Sequence, residues 1–216
     1  MSITFFVKNK KKFLVGLAPV MSVEEALRLV PNLSQFNADE DDEEFDGAKL
    51  DELDCLIAGT DGLSGRGFEI GYADGAYNVR IGTPSTRADW QIALEYLKNL
   101  AIKMDSEITS EDGEKFSAQN IEDFDYEPDI RAGLEAIEQN LQKEAQISTI
   151  YGIRNEVSFD KKIMGAKDPA DEFGKFVTDI QNLDAYFANQ MFYRRNDSGE
   201  ISGDYVLSQD VVTVLP

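Results

Sequence analysis

The sequence contains no histidine and a single cysteine, Cys55. Without an imidazole there is no Ser-His-Asp or Cys-His machinery in the chain. Histidine-ligated zinc and two-histidine iron sites are excluded for the same reason. One cysteine can form neither an intrachain disulfide nor a CxxC site, which suits a reducing compartment. No apolar run approaches the ~18 residues of a membrane span. The opening MSITFFVKNKKKF places its lysines after a short apolar run, the reverse of a signal peptide. The expectation is a soluble, cytoplasmic protein.

Basic charge is also scarce: 21 Lys and Arg face 41 Asp and Glu among 216 residues, a formal −20. Residues 1–35 carry a net +3, and residues 36–84 and 85–150 carry −10 and −9. Phosphate neutralisation needs clustered Lys and Arg, so neither nucleic acid nor an anionic membrane is expected as partner. Hydrophobic residues at 42% are enough for a sizeable core.

The pattern along the chain reads as hairpins interspersed with helices. Ser2–Lys8 and Phe13–Leu17 read as an opening β-hairpin across the Asn9–Lys12 turn. Ser22-Val23-Glu24-Glu25 is a capping box, followed by apolar residues at helical spacing up to Pro31. Ala73-Asp74-Gly75 between two β-rich runs is the clearest hairpin turn. Thr86 and Asp89 open a helix whose stripe is Trp90, Ala93, Leu94, Leu97, Leu100, Ala101 and Met104. Pro128 begins another helix, lined by Ile130, Leu134, Ile137, Leu141 and Ala145. Asp168 caps the last one, with a stripe of Phe173, Phe176, Val177, Ile180, Leu183, Phe187 and Met191. Trp90, Tyr96, Phe176 and Phe187 are expected in the core. Tyr205–Leu207 and Val211–Leu215 close the chain as strands. Regular βαβ alternation is missing, so the fold class is α+β with mainly antiparallel sheet and about four helices. One unit spans 1–216, and a boundary at Thr83-Pro84-Ser85 would divide it into a hairpin-rich lobe, 1–84, and a helix-rich lobe, 85–216. The apolar C-terminal strand has no polar tail, which hints at a longer parent chain.

The opening Met1–Lys11, the segment Asp89-Trp90-Gln91-Ile92-Ala93-Leu94 and Glu111-Asp112-Gly113-Glu114 resemble an uncharacterised bacterial family, domain of unknown function 4299. The resemblance implies no activity and carries over no functional residue.

Asp39, Glu40, Asp41, Asp42, Glu43 and Glu44 form six consecutive carboxylates. Their mutual repulsion argues for an exposed loop over 37–54, with 37–48 dispensable for folding. A calcium loop starting at Asp42 would place Glu44, Asp46 and Gly47 correctly but has Leu53 where the bidentate Glu belongs, with Glu52 one place early. The stretch Gly59–Gly67 matches no phosphate-binding motif, and its only cation is Arg66, so turn glycines are expected. Asp123, Asp125, Glu127 and Asp129 would share one side only in an extended segment. Phe192 and Tyr193 before Arg194 and Arg195 could form a contact patch. No catalytic, cofactor or metal residue is assigned. The reading is a non-catalytic acidic binding protein, immunity- or inhibitor-like toward a basic protein partner, with the surface around Asp39–Asp54 as its contact. The alternatives are a small-molecule enzyme using Asp or Glu with a divalent metal, and a structural subunit with neither role.

Overall fold

The fold is α+β with mainly antiparallel sheet, as the hairpin-rich pattern requires. The computed structural model describes residues 1–11, 16–37, 43–143, 148–159, 166–183, 185–187, 189–195, 197–207 and 213–214. The chain forms two units, Met1–Gln181 and Asn182–Pro216. Thr83-Pro84-Ser85 lies inside the first.

The first unit is built on seven strands: β1 (Ser2–Lys8), β2 (Leu33–Gln35), β3 (Leu56–Thr60), β4 (Phe68–Ala73), β5 (Ala76–Gly82), β6 (Ile108–Ser110) and β7 (Lys115–Phe116). Their order is β2-β3-β4-β5-β1-β6-β7, with every neighbouring pair antiparallel. The opening hairpin is therefore corrected. β1 is an inner strand between β5 and β6, aligned Ser2↔Gly82 through Lys8↔Ala76. A lone Lys11↔Leu17 bridge remains of the expected partner, and residues 12–15 lie outside the described ones. Phe5 and Val7 are fully buried, and an isolated two-stranded ribbon would not have hidden them. The β4–β5 turn holds both Asp74 and Gly75 at positive φ (52° and 78°), the conformation of a two-residue hairpin loop.

Helix α1 (Val23–Leu27) starts at the Ser22–Glu25 capping box and stops before Pro31. Helix α2 (Glu43–Gly47) corrects the exposed-loop reading of 37–54 over 43–54, and residues 38–42 lie outside the described ones. Phe45 is only 8% exposed and Leu50 not at all. Backbone bonds from Val23 to Ala48 and from Leu50 to Met21 fasten the segment beside α1. The Asn37 side chain donates to Cys55 O and accepts from Ile57 N. Charge dominates this stretch by count, but two apolar anchors decide its position.

Helix α3 (Arg87–Met104) packs on the sheet with its whole expected stripe buried, joined by Tyr96. Trp90 stacks against Phe124 and Tyr126, at ring distances of 5.6 and 5.5 Å. A 3-10 turn (Ile121–Asp123) leads into α4 (Glu127–Lys143), and the hairpin of β8 (Ser148–Tyr151) and β9 (Glu156–Phe159) leads on to α5 (Pro169–Gln181). Within α4's stripe Ile130, Leu134, Ile137 and Leu141 are buried, and Ala145 lies outside the described residues.

Helix α5 ends at Gln181, so the expected stripe is cut short. Phe187 and Met191 lie in strands β10 (Tyr186–Phe187) and β11 (Asn189–Arg194), and Phe176 and Leu183 are exposed. Apolar residues every three or four positions continue past the helix, but the Gln181 side chain turns in to hold the β8–β9 turn. Its carbonyl accepts from Arg154 N and Asn155 N, and its amide donates to Asn155 O.

In the second unit β11 pairs antiparallel with β12 (Ile201–Val206), and β10 pairs parallel with β13 (Thr213–Val214). The expected Asp197-Ser198-Gly199 turn joins β11 to β12, with Gly199 at φ 69°.

The buried anchors make a prediction about the acidic segment. Deleting 37–48 removes Phe45 and both Asn37 bonds and is expected to lower the melting temperature by far more than a few degrees. Phe45→Ala alone should cost about 3 kcal/mol in urea unfolding. An unchanged midpoint would show the segment to be passive.

Candidate functional site

The glycine-rich connection Gly59–Gly67 is organised by a carboxylate from another element. Asp89, at the third position of α3, is completely buried. Its Oδ1 accepts from Gly65 N (3.2 Å) and Gly67 N (2.9 Å). Its Oδ2 accepts from Arg66 N (2.9 Å), Thr86 N (3.2 Å) and Thr86 Oγ1 (2.8 Å). Burial pushes the carboxyl up, and hydrogen bonds from Arg66, Gly67 and Thr86 pull it down. All five groups donate, and a protonated oxygen would set its own hydrogen against them, so the geometry holds Asp89 ionised. A Cβ at Gly67 would come within 2.4 Å of Ala58 O, and Gly67 has φ +65°, so this position needs glycine. The amides a phosphate would require are thus already occupied by the protein's own anion.

Arg66 extends the same junction. Its side chain donates to Pro84 O (2.6 Å) and Tyr151 O (2.8 Å), tying the β5–α3 connection to the β8 strand. Burial pulls its pKa down, and the nearby Asp89 charge opposes this.

Arg87, the first residue of α3, forms a second polar junction. It bonds both carboxylate oxygens of Glu127 (2.6 and 3.0 Å) and reaches Asp168 (3.4 Å) and Asp171 (3.9 Å). The first turns of α3, α4 and α5 are thereby clamped together. The Arg87 bonds hold the Glu127 carboxyl below its ordinary value, and Asp168 is lowered chiefly by its cap bond from Asp171 N. Beside this clamp lies a groove of about 340 Å³ between α4 and α5. Leu134, Pro169 and Ala170 form its apolar walls, and Arg131, Glu135 and Glu138 stand on its α4 side.

The third feature is an acidic stretch from Asp105 to Asp129, with ten carboxylates and one lysine. It runs along the β7 edge of the sheet, through the 3-10 turn and into α4. Lys115 pairs with Glu107 (2.9 Å), and Lys98 of α3 pairs with Glu122. Among the described residues Asp105, Glu111, Asp112, Glu114, Asp123 and Asp125 have no ion-pair partner, and all six are exposed.

Of the six residues expected to bind, Asp39, Glu40, Asp41 and Asp42 lie outside the described residues. Glu43 and Glu44 open α2, and their side chains are likewise not described. The α2 backbone is helical where a calcium loop would begin, and Glu52 Oε2 accepts from Lys49 N (2.8 Å). Among the described residues no three His, Cys, Asp or Glu side chains are grouped to hold a metal. No described helix is long and apolar enough to cross a membrane. Asp123, Asp125, Glu127 and Asp129 do not share one extended segment: the 3-10 turn ends at Asp123, Asp125 lies in a short non-helical link, and α4 begins at Glu127. Glu127 turns to Arg87, and Asp129 Oδ1 accepts from Thr83 Oγ1 (2.6 Å). In the aromatic patch Tyr193 is exposed, and Arg195 pairs with Asp197 (3.4 Å). Asp105, Glu111, Asp112 and Glu114 were not among the residues expected to bind, although Glu111-Asp112-Gly113-Glu114 carried part of the family resemblance. Their signal was the −9 of residues 85–150, which no consecutive run announced.

Two substitutions probe these junctions. Asp89→Asn sets an amide against four N–H donors and is expected to cost about 3–5 kcal/mol in urea unfolding, as for a broken buried ion site. A loss under ~1 kcal/mol would show that the five bonds are replaceable. Glu127 has a lowered folded pKa, so its contribution is full above the ordinary glutamate value and lost as pH falls through the lowered one. Glu127→Gln should therefore be less stable than the parent at neutral pH, with the difference shrinking from about pH 5 downward. A pH-independent difference would contradict this.

No curated protein and no solved structure shows significant similarity to the chain. A family model matches it over residues 2–216, and with that coverage the chain belongs to the family described as a domain of unknown function, DUF4299.

Proposed function

We propose that this protein acts by binding rather than catalysis, and that it engages a basic protein partner through an acidic surface. An immunity- or inhibitor-like role toward a basic toxin or nuclease is the concrete form of that reading, and the cytoplasm is its setting. The observation that carries it is the set of six exposed carboxylates from Asp105 to Asp125 that have no ion-pair partner among the described residues. Exposed charges with no internal counter-ion add little to stability, and they raise the rate at which an oppositely charged surface is encountered. The run Asp39–Glu44 extends the same chemistry along the chain.

Neutralising Glu111, Asp112, Asp123 and Asp125 to the amides tests the reading. Partners recovered from native lysate on the parent protein are expected to be basic and to dissociate as salt rises from about 50 to about 500 mM, because screening shortens the field. The neutralised variant should retain them weakly while unfolding at the parent's midpoint. Acidic or salt-insensitive partners would sink the proposal, and so would equal retention by the variant. Micromolar binding to polynucleotide at ~150 mM salt would point to a different class of ligand.

A further inference from the structure

We propose that the groove between α4 and α5 takes a lysine or arginine side chain of a basic protein segment, with the alkyl stem on the apolar walls and the cationic head at the carboxylates. This rests on the binding function proposed above and names where and how one residue of the partner is held. The groove is at the small end of the ~300–1,000 Å³ typical of ligand pockets, which suits one or two side chains rather than a large cofactor. Leu134, Pro169 and Ala170 give it a carbon-rich floor, and a long cationic side chain lays its methylenes on such a surface.

The charges around this floor select the sign of the ligand. Arg87 is engaged by Glu127 and Asp168, which take three of its five N–H donors and surround it with negative charge. Its guanidinium, gripped by carboxylates from α4 and from the start of α5, already shows the geometry that a second cation would meet. Glu138 uses Oε1 for Gln142 and keeps its other oxygen, and Glu135 has no ion-pair partner among the described residues. Arg131 is the one cation of the lining outside the clamp. Glu135 and the second oxygen of Glu138 against one arginine leave the rim complementary to positive charge, and Arg131 limits the affinity.

The probe is a fluorescein-labelled nonalysine peptide, read by anisotropy on the whole chain at ~150 mM salt. Glu135→Gln combined with Glu138→Gln should weaken binding about five-fold, and Arg131→Gln should strengthen it about two-fold. A nonapeptide of 2,4-diaminobutyrate carries the same charge on a stem two methylenes shorter, and it should bind at least about four-fold more weakly, the value of one buried methylene. All these substitutions are on an exposed helix face, and urea midpoints check that each variant is folded. Equal binding of the two peptides overturns the proposal, because bulk attraction alone does not sense stem length. Weakening by Arg131→Gln also overturns it, since removing a like charge from a cation-binding rim must not reduce binding. If the Glu111/Asp112/Asp123/Asp125 variant weakens nonalysine binding and the Glu135/Glu138 variant does not, the groove fails while the binding function stands. If neither weakens it, both fail.

Discussion

The first unit depends on one buried negative charge. Asp89 gathers five donors from two places in the sequence, the α3 cap at Thr86 and the three amides from Gly65 to Gly67. An unpaired carboxylate in that position would cost several kcal/mol, and an apolar residue would strand the amides it now satisfies. The charge and the loop therefore require each other. Gly65 O in turn accepts from Ile153 N, and Arg66 bonds Tyr151 O, so the β8–β9 hairpin is seated by the same loop. Gln181 closes the far side of that hairpin from the end of α5. The sheet, the long helix and the C-terminal part of the unit are thus joined through polar contacts between residues that are remote along the chain.

That remoteness explains what was legible in the sequence. Both capping boxes, Ser22–Glu25 and Thr86–Asp89, involve groups three residues apart, and their residue types state the bond directly. The Asp74-Gly75 turn and the α3 stripe are equally local. Nothing local reveals that the Asp89 of a capping box also accepts three amides more than twenty residues upstream. Nor does Ser2–Lys8 disclose that its partners are β5 and β6, since alternating apolar residues identify a strand but not its neighbours. Phe45 and Leu50 were hidden in another way: they are two apolar positions in a stretch whose composition is dominated by repelling charge. The helical spacing of Phe187 and Met191 misled because periods of three to four also arise where a strand follows a helix.

The excess carboxylates have distinct structural uses. Asp89 is an internal anchor, and Glu127 and Asp168 are clamps on Arg87. Others stand near the sheet's edges. Those edges are β2 with three residues and β7 with two, and short edge strands beside charge resist pairing with another molecule. Such protection accounts for Glu107, paired with Lys115, and for Glu111 and Glu114 beside β7. It does not extend to Asp105, which caps α3 in the left-handed conformation (φ 53°), to Asp125, whose Oδ1 accepts from Glu127 N (3.3 Å), or to Asp123 beyond the sheet. Their exposed charge, rather than any edge, is what the proposed partner would engage.

Long-range attraction and local fit divide the work of such a surface. Exposed charges of one sign act over about a Debye length, roughly 8–10 Å at moderate salt, and hasten encounter with an oppositely charged body. It cannot distinguish one basic protein from another, because screened charge carries little shape. Discrimination needs a place where water is displaced and a stem of definite length is covered. In the described residues the α4–α5 groove joins a carbon floor to a carboxylate rim, and Glu127 belongs both to its lining and to the acidic stretch that ends at Asp129. The Arg87 clamp holds that shared residue in place, and Glu135 and Glu138 stand on the α4 side where the proposed cation would enter.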